Sequence, residues 1–180
     1  HAIIPAHPVA GTENSGPDAG FATLFQNRWC IVTPPEHANP HLLTDLVQFW
    51  EALGANVEVM DAAHHDLVLA VTSHLPHLIA ASAARICLKN PADGRFGGGG
   101  LRDTTRVASG NPDMWAEIVT ENRAALIDPL RESIADLNKV LKLLENGDQQ
   151  AAHQWLAEAK QPRDTLQAMH AEKKSSLQAG

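Results

Sequence analysis

WCIVTPPEHANPHLLTDLVQFWEALGANVEVM, residues 29–60, places a helical stretch between two short apolar runs. The runs at 29–32 and 57–60 have the length and composition of β-strands. Between them, six apolar side chains share one face of a helix: Leu42, Leu43, Leu46, Val47, Trp50 and Leu53. Gly54 closes that helix. A strand, a helix and a strand in this order predict the βαβ unit of a parallel sheet.

The beginning of the chain is also strand-like. Ala2 to Ile4 predicts a further strand, so residues 1–60 are predicted to be α/β. Because the chain opens with His1 and runs at once into this apolar segment, we expect it to be cut from a longer protein.

Beyond residue 60 the pattern is helical. Asp61 is placed to cap a long helix that reaches about Cys87, and Pro76 inside it predicts a kink. A glycine-rich linker is predicted at 94–100. A second helix starts at Asn111–Pro112 and is predicted to continue through Leu144.

The end of the chain predicts one more helix. Asp148 caps it and Pro162 is predicted to break it. Residues 61–174 are therefore predicted to form an all-helical domain, with residues 175–180 as a tail. Its long apolar faces predict a homodimer, since they exceed what one small bundle needs to bury.

The bulk properties limit the classes of partner. A formal net charge of -7 argues against a nucleic-acid surface. No run approaches the ~18 uninterrupted apolar residues of a membrane span. Cys30 and Cys87 lie far apart without a metal-type spacing, which predicts two buried, reduced thiols in a cytoplasmic protein.

The segment HPVAGTENSG, residues 7–16, follows the first predicted strand. Catalytic groups in open α/β sheets lie where loops leave the carboxyl ends of strands, so His7 is placed to act as a general base. Thr12 and Glu13 are among the polar groups that follow it. The alternative is a loop histidine that is bonded to backbone.

The segment TSHLPH, residues 72–77, puts polar side chains inside an apolar helix, where each needs a partner. His74 and His77 are three residues apart and can contact the same ligand. His64, His65 and Asp66 lie a helical turn or more upstream and could add ligands for a metal ion, but the zinc motif HExxH is absent. A structural histidine cluster and an organic-ligand contact both stay open.

The segment FGGGGLRDTTR, residues 96–106, is not a Walker A phosphate loop because no Lys-Ser/Thr follows the glycines. Arg102 and Arg106 lie four apart on one helix face, where either guanidinium can bind a carboxylate through two bonds. Asp103 is placed to hold an arginine. The alternative is a flexible linker with solvated charges. Trp115, at helical spacing, fits a core position.

Together, HPVAGTENSG, VTSHLPH (71–77) and GGGGLRDTTRVASGNPDMW (97–115) resemble the prephenate/arogenate dehydrogenases, also called cyclohexadienyl dehydrogenases. The resemblance implies an α/β remnant of a Rossmann-type nucleotide-binding domain followed by an all-α dimerisation domain. It also implies oxidative decarboxylation of prephenate to 4-hydroxyphenylpyruvate, or of arogenate to tyrosine, with hydride passing to NAD or NADP. This is a reaction of tyrosine biosynthesis.

The resemblance implies roles for individual residues. His7 matches the catalytic histidine that takes the proton of the ring hydroxyl, and Arg106 matches the arginine that holds a substrate carboxylate. The other matching positions are expected to contact or surround the substrate: Thr12, Glu13, Ser73, His77, Gly99, Asp103 and Trp115. No metal is expected.

The dinucleotide fingerprint G-x-G-x-x-G does not occur in these residues. Binding of NAD or NADP is therefore expected of the intact parent, and the chain alone is expected to be inactive. Two alternatives come from other classes. One is a non-catalytic helical dimerisation or small-acid-binding module. The other is a metal-dependent hydrolase built on His64, His65, His74 and His77.

Overall fold

The computed structural model describes residues 3–11 and 16–178, with the backbone alone for residues 17, 170 and 172–178. Its strands are β1 (Ala6–Val9), β2 (Trp29–Val32) and β3 (Asn56–Val59). They form one sheet in the order β1-β2-β3. β2 and β3 are parallel, and the helix α1 (Pro40–Ala52) connects them. The predicted βαβ unit is confirmed.

The core of this α/β part lies between the sheet and α1. Cys30 and Val32 on β2 are fully buried, and Ala55 completes the cluster. Apolar side chains from the sheet, from α1 and from the preceding turn pack against it: Ile4, Ala6, Phe25, Leu43, Leu46, Trp50 and Val57. The strand pattern and the helical pattern of the sequence therefore bury their apolar residues at the same place.

The ends of α1 follow from local chemistry. The Asn39 side chain accepts a hydrogen bond from the His41 N–H at 2.9 Å, and Pro40 occupies the first turn, where a missing donor costs nothing. Gly54 stands after the helix with φ +84°, a conformation that L side chains rarely adopt. A side chain there would also meet Gln26.

The first predicted strand is displaced along the chain. Strand β1 begins at Ala6, whereas Ile3 and Ile4 precede it and Ala2 lies outside the described residues. The register of the antiparallel pair explains the difference, because Ala6 faces Val32 and the Pro5 carbonyl accepts from the Thr33 N–H at 3.0 Å. His7 therefore lies within an edge strand and not in the loop that follows a strand.

The long apolar helix has three parts. These are α2 (Ala62–Leu69), a π turn (Ala70–His74) and α3 (Leu75–Cys87). Asp61 caps α2 as predicted, and its carboxylate accepts from the His64 N–H at 2.8 Å. At the predicted kink the structure has the π turn, in which the Leu75 N–H bonds to the Ala70 carbonyl. Pro76 then falls in the first turn of α3, where its missing N–H is tolerated.

The same run of residues is long and apolar enough to cross a membrane, by length and composition alone. The segment Ala62–Cys87 has a window of mean hydropathy 1.5, of which 28% is buried. The sequence-based expectation of no membrane-length apolar segment therefore does not hold by this measure. A core helix that meets a partner has the same properties. Cys87, at the end of α3, is exposed, so the prediction of two buried thiols is wrong for that residue.

The predicted glycine-rich linker is partly helical. α4 (Pro91–Gly94) and α5 (Gly99–Thr105) flank a short gap, and a 3₁₀ helix (Arg106–Ser109) follows directly. Gly99 and Gly100 thus belong to the first turn of α5. Arg106 stands where the α-helical turn tightens into the 3₁₀ turn.

The helix predicted from residue 112 through 144 is two helices, α6 (Pro112–Glu121) and α7 (Arg123–Glu145), with Asn122 between them. The last helix, α8 (Gln149–Gln178), is capped by Asp148 as predicted. It continues through Pro162, so the predicted break there is wrong. A proline removes one backbone donor, and strong helix formers on both sides can outweigh that loss.

By compactness the chain divides into two units, His1–Pro129 and Leu130–Gly180. The first unit contains the sheet and all three sequence motifs. In the second unit, the Trp155 indole N–H donates to the Asp136 carboxylate at 3.0 Å. The groups with candidate chemistry belong to the first unit.

Candidate active site

His7 projects from the edge strand β1 onto α2. Its Nδ1 lies 2.8 Å from Nε2 of His65, and the two ring centroids are 5.1 Å apart. Burial of the ring against α2, and second the proximity of His65, lower the pKa of His7 below its ordinary value of 6.5. At neutral pH the His7 imidazole is therefore uncharged and can accept a proton.

His65 has a second partner on its other side. Its Nδ1 lies 2.9 Å from Oδ1 of Asp66. The His65 side chain is 19% exposed and that of Asp66 is 57% exposed. A carboxylate, a half-buried imidazole and the His7 imidazole thus form a continuous chain of hydrogen-bonding groups that ends at β1.

His74 lies in the π turn and is buried. The Asn122 side-chain amide contacts His74 Nδ1 at 3.0 Å and donates to the Asp66 backbone carbonyl at 2.8 Å. Burial first, and then His7 and His65, lower the pKa of His74, while Asp66 acts in the opposite direction. A neutral His74 accepts the Asn122 hydrogen bond at Nδ1, so this amide fixes α2 and the π turn together.

His77, one turn further along α3, lies against Trp115. The two rings are stacked with centroids 3.5 Å apart. His77 is buried, burial lowers its pKa, and its Nδ1 has no hydrogen-bond partner among the described residues. A buried polar nitrogen without a partner is costly unless a ligand or water satisfies it. The Nδ1 atom of His77 is therefore a candidate ligand contact.

The two arginines of the third motif line a groove. Arg102 and Arg106, with Thr105 and Ser109, form the polar part of a groove of about 550 Å³, which is also lined by Ala84 of α3 and by Leu88 just after that helix. Arg102 is 80% exposed and lies 3.8 Å from the Asp103 carboxylate. Two guanidinium groups in one groove fit an anionic ligand of the size of a small organic acid.

The structure places the predicted site residues as follows. His77 and Trp115 are in contact, and both are near His74, whose ring lies 6.3 Å from that of Trp115. Of the other predicted residues with described positions, Ser73 is half-buried in the π turn, Gly99 and Asp103 are exposed on α5, and Arg106 lines the groove. Thr12 and Glu13 lie outside the described residues. The roles of all these residues stay predictions.

Sequence reasoning missed Asn122, and it weighed His65 and Asp66 only as metal ligands. Within residues 3–11 and 16–178, no group of three or more His, Cys, Asp or Glu side chains is arranged to hold a metal ion. Asn122 lies between two helices, where asparagine is common, but the apolar pattern predicted one continuous helix across it. Its contacts span 48 and 56 residues, so local patterns could not reveal them.

The described residues do not fit the pyrophosphate of a nicotinamide dinucleotide. Such a group binds at a glycine-rich turn that opens a helix after a parallel strand. The helices after the parallel strands β2 and β3 begin instead at Asn39–Pro40 and at Asp61, whose carboxylate already bonds to the helix N-terminus. The described residues do fit an anionic substrate, since His7 is a neutral base and Arg102 and Arg106 are two cations.

Comparison with known proteins identifies the family. Residues 1–59 match the profile described as "Prephenate dehydrogenase, nucleotide-binding domain", and residues 61–158 match "Prephenate dehydrogenase, dimerization domain". The chain is 40% identical over 176 residues to a cyclohexadienyl dehydrogenase of Zymomonas mobilis, covering 94% of this chain and 60% of that protein. It is 32% identical to a prephenate dehydrogenase of Bacillus subtilis, covering 91% of this chain and 45% of that protein.

Solved structures that resemble this chain belong to the same family of enzymes. The arogenate dehydrogenase of Synechocystis superposes with a TM-score of 0.77 at 30% identity, covering 92% of this chain and 62% of that one. The prephenate dehydrogenase of Aquifex aeolicus, in complex with hydroxyphenyl propionate and NAD+, superposes with a TM-score of 0.81 at 30% identity, covering 91% and 58%. The chain thus spans about 60% of the length of the first of the curated relatives. It belongs to the prephenate dehydrogenase family.

Proposed function

We propose that this chain carries the substrate-side residues of a prephenate or arogenate dehydrogenase. The observation that carries the proposal is the neutral His7 imidazole, hydrogen-bonded to His65 at 2.8 Å, in the motif that matches the catalytic histidine of the family. The relatives of this chain are named for that activity. NAD or NADP supplies the two-electron acceptor that such an oxidation requires.

In the proposed reaction, His7 accepts the proton of the ring hydroxyl through its Nε2. The O–H bonding pair forms the carbon–oxygen double bond of a ketone as the hydrogen on that carbon leaves with its electron pair, as a hydride, for which bound NAD or NADP would be the acceptor. The bond between the ring and its carboxylate then breaks and carbon dioxide leaves. The electron pair of that bond passes into the ring, which becomes aromatic, and the ketone oxygen takes up a proton to become the phenolic hydroxyl. A base that is neutral at working pH is needed for the first event, and the lowered pKa of His7 provides one.

Arg106 is proposed to bind a substrate carboxylate and thereby to orient the ring. It lines the groove with Arg102, and Asp103 pairs with Arg102 on the exposed side. Ser73, Gly99 and Trp115 are proposed to border the substrate, together with Thr12 and Glu13. His77, whose Nδ1 has no partner among the described side chains, is proposed to bind the polar side chain of the substrate.

The direct test is an activity assay of the protein that contains this chain. Prephenate and arogenate are each supplied with NAD or NADP, and the absorbance of reduced nicotinamide is followed. Release of carbon dioxide in equal amount is expected with at least one substrate. Reduced cofactor without carbon dioxide, or no turnover with either substrate, would contradict the proposal. The four combinations also identify the preferred substrate and cofactor.

We also propose a cytoplasmic homodimer that binds neither nucleic acid nor membranes. The net charge of -7 opposes binding to nucleic acid. Apolar residues such as Leu67, Val71 and Ile86 are exposed along Ala62–Cys87 in the single chain, and a second copy would cover them. The match to a dimerization domain over residues 61–158 supports this assembly over membrane insertion.

A further inference from the structure

In the hydrogen-bond chain Asp66–His65–His7, the donor and the acceptor of each bond can be assigned. Ionised Asp66 can only accept, so the His65 Nδ1 that lies 2.9 Å from it carries a proton. In neutral His65 the other nitrogen, Nε2, then has a lone pair. This Nε2 atom lies 2.8 Å from Nδ1 of His7, so the His7 Nδ1–H donates to its lone pair. The free nitrogen of a neutral His7 is therefore Nε2.

We propose that Asp66 and His65 are a positioning pair that holds His7 as its Nδ1–H tautomer and leaves Nε2 to accept the substrate proton. The inference rests on the proposed function, because it concerns the base of that reaction. Neither residue is assigned to the substrate, and both act only through His7. A ring held by one defined hydrogen bond has its lone pair aimed in one direction, which a freely rotating imidazole lacks.

The surrounding structure holds His7, His65 and Asp66 in place. Asp61 caps α2 one turn before His65 and fixes the start of that helix. The Asn122 amide donates to the Asp66 carbonyl at 2.8 Å, which ties the same turn to the segment between α6 and α7. Strand β1 holds His7 through its register with Ile31 of β2. Both ends of the hydrogen-bond chain are thus attached to regular elements.

The chain offers a matched set of variants. His65→Leu removes the acceptor for His7, whereas His65→Gln retains one in its side-chain oxygen. Asp66→Ala removes the carboxylate that sets the tautomer of His65. His64→Leu is the control, since His64 is the exposed neighbour on the same helix. All three positions are on or near the surface, so the four variants are expected to fold.

The first measurement needs no activity. Long-range ¹H–¹⁵N correlation spectra of the ¹⁵N-labelled chain, at about pH 8 where ordinary imidazoles are neutral, distinguish the two tautomers. The His7 signals are assigned by their loss in His7→Asn. Wild-type protein, His65→Gln and His64→Leu are expected to show protonated Nδ1 and free Nε2. In His65→Leu and Asp66→Ala, His7 is expected to become a mixture of tautomers.

The second measurement uses kinetics of the full enzyme that contains this chain. His65→Leu is expected to lower kcat by between about 10- and 1000-fold with KM nearly unchanged, while His65→Gln recovers most of the loss. An unchanged His7 tautomer in His65→Leu would overturn the proposal. Equal losses of kcat in the Leu and Gln variants would also overturn it. If the wild-type enzyme lacks dehydrogenase activity, the proposed function fails, and the spectra alone decide the role of the pair.

Discussion

The imidazole of His77 stacks on the indole of Trp115 with centroids 3.5 Å apart and ring planes 11° from parallel. Gly110 makes this contact possible. A Cβ atom at Gly110 would lie 2.5 Å from the indole Nε1 and 3.3 Å from Cε1 of His77. The glycine has φ -60°, which any residue adopts, so the reason for glycine is space and not backbone conformation.

We expect Gly110→Ala to displace Trp115 and His77. The added methyl group cannot fit within 2.5 Å of an indole atom, and relief of such overpacking typically costs about 1–3 kcal/mol of unfolding free energy. Near-ultraviolet circular dichroism and chemical unfolding measure the two effects. Gly100→Ala is the control, because nothing lies within 4 Å of its would-be Cβ and alanine favours a helix. Equal behaviour of the two variants would contradict this explanation of Gly110.

A second prediction concerns His7. In the full enzyme, His7→Asn is expected to lower kcat by ~10²–10⁴-fold with little change in KM, since proton transfer is lost and most contacts remain. The pH profile is an independent check. Because the pKa of His7 is lowered, kcat/KM of the wild-type enzyme should fall only below about pH 6.5, and this acid limb should be absent in the variant. Full turnover with an unchanged acid limb would exclude His7 as the base.

The two groove arginines are expected to differ. Arg106→Gln should raise KM by roughly 10- to 100-fold, which is the loss of one charge-assisted pair worth about 1.5–3 kcal/mol. Arg102→Gln is the matched control from the same groove, and a smaller change is expected because Arg102 is 80% exposed. Steady-state kinetics of both variants measure the two KM values. A larger rise in KM for Arg102→Gln would transfer the proposed role to that residue.

Local patterns in the sequence were sufficient for β2, α1 and β3. Their apolar periods and Gly54 are short-range signals, and the elements lie within a residue or two of the predicted ranges. The Asn39–Pro40 start of α1 is also a local signal, but α1 was predicted without it, from its apolar face and Gly54. The position of β1 was not predictable in the same way, because its register depends on Val32, more than twenty residues away. Pro162 was misleading because a proline lowers helix stability without always ending the helix.

In the candidate site, too, local sequence patterns could be predicted and contacts between distant residues could not. His7, His77, Arg106 and Trp115 could be selected from motifs, whereas the contacts that each of them makes could not. His65 acquires its meaning from a contact with a residue 58 positions away, and Asn122 from contacts across 48 and 56 positions. Side-chain chemistry made these residues candidates for several roles. For His65, the contact between strand β1 and helix α2 favours one role over the others.

A fourth prediction concerns assembly. Along α7, four apolar side chains form an exposed stripe at helical spacing: Ile134, Leu137, Leu141 and Leu144. Water contact with such a stripe is unfavourable, so we expect a second copy to cover it. Light scattering should give about twice the chain mass of 19.4 kDa.

The double variant Leu137→Glu, Leu141→Glu is expected to weaken this dimer by placing charges in the covered stripe. Lys142→Glu, which changes an exposed residue beside the stripe, is the control and should leave the dimer intact. A monomeric wild-type chain at high concentration would contradict the prediction. An unaffected dimer in the double variant would place the interface on another face.

The last prediction is an acid-sensitive stability. Burial lowers the pKa values of His7, His74 and His77 below 6.5 in the folded chain, whereas in the unfolded chain they return to about that value. Between the two values the unfolded chain binds more protons, so the free energy of unfolding rises with pH and becomes flat above about pH 6.5. Stability is therefore lost as the pH falls below 6.5. Each buried histidine, His74 or His77, contributes at most about 1.4 kcal/mol per pH unit, and the more exposed His7 contributes less. Urea unfolding at several pH values between about 5 and 7.5 measures the slope, and His77→Asn should reduce it because one of the three groups is gone. A free energy of unfolding that stays constant or rises on acidification through this window would show that these histidines are not held neutral by the fold.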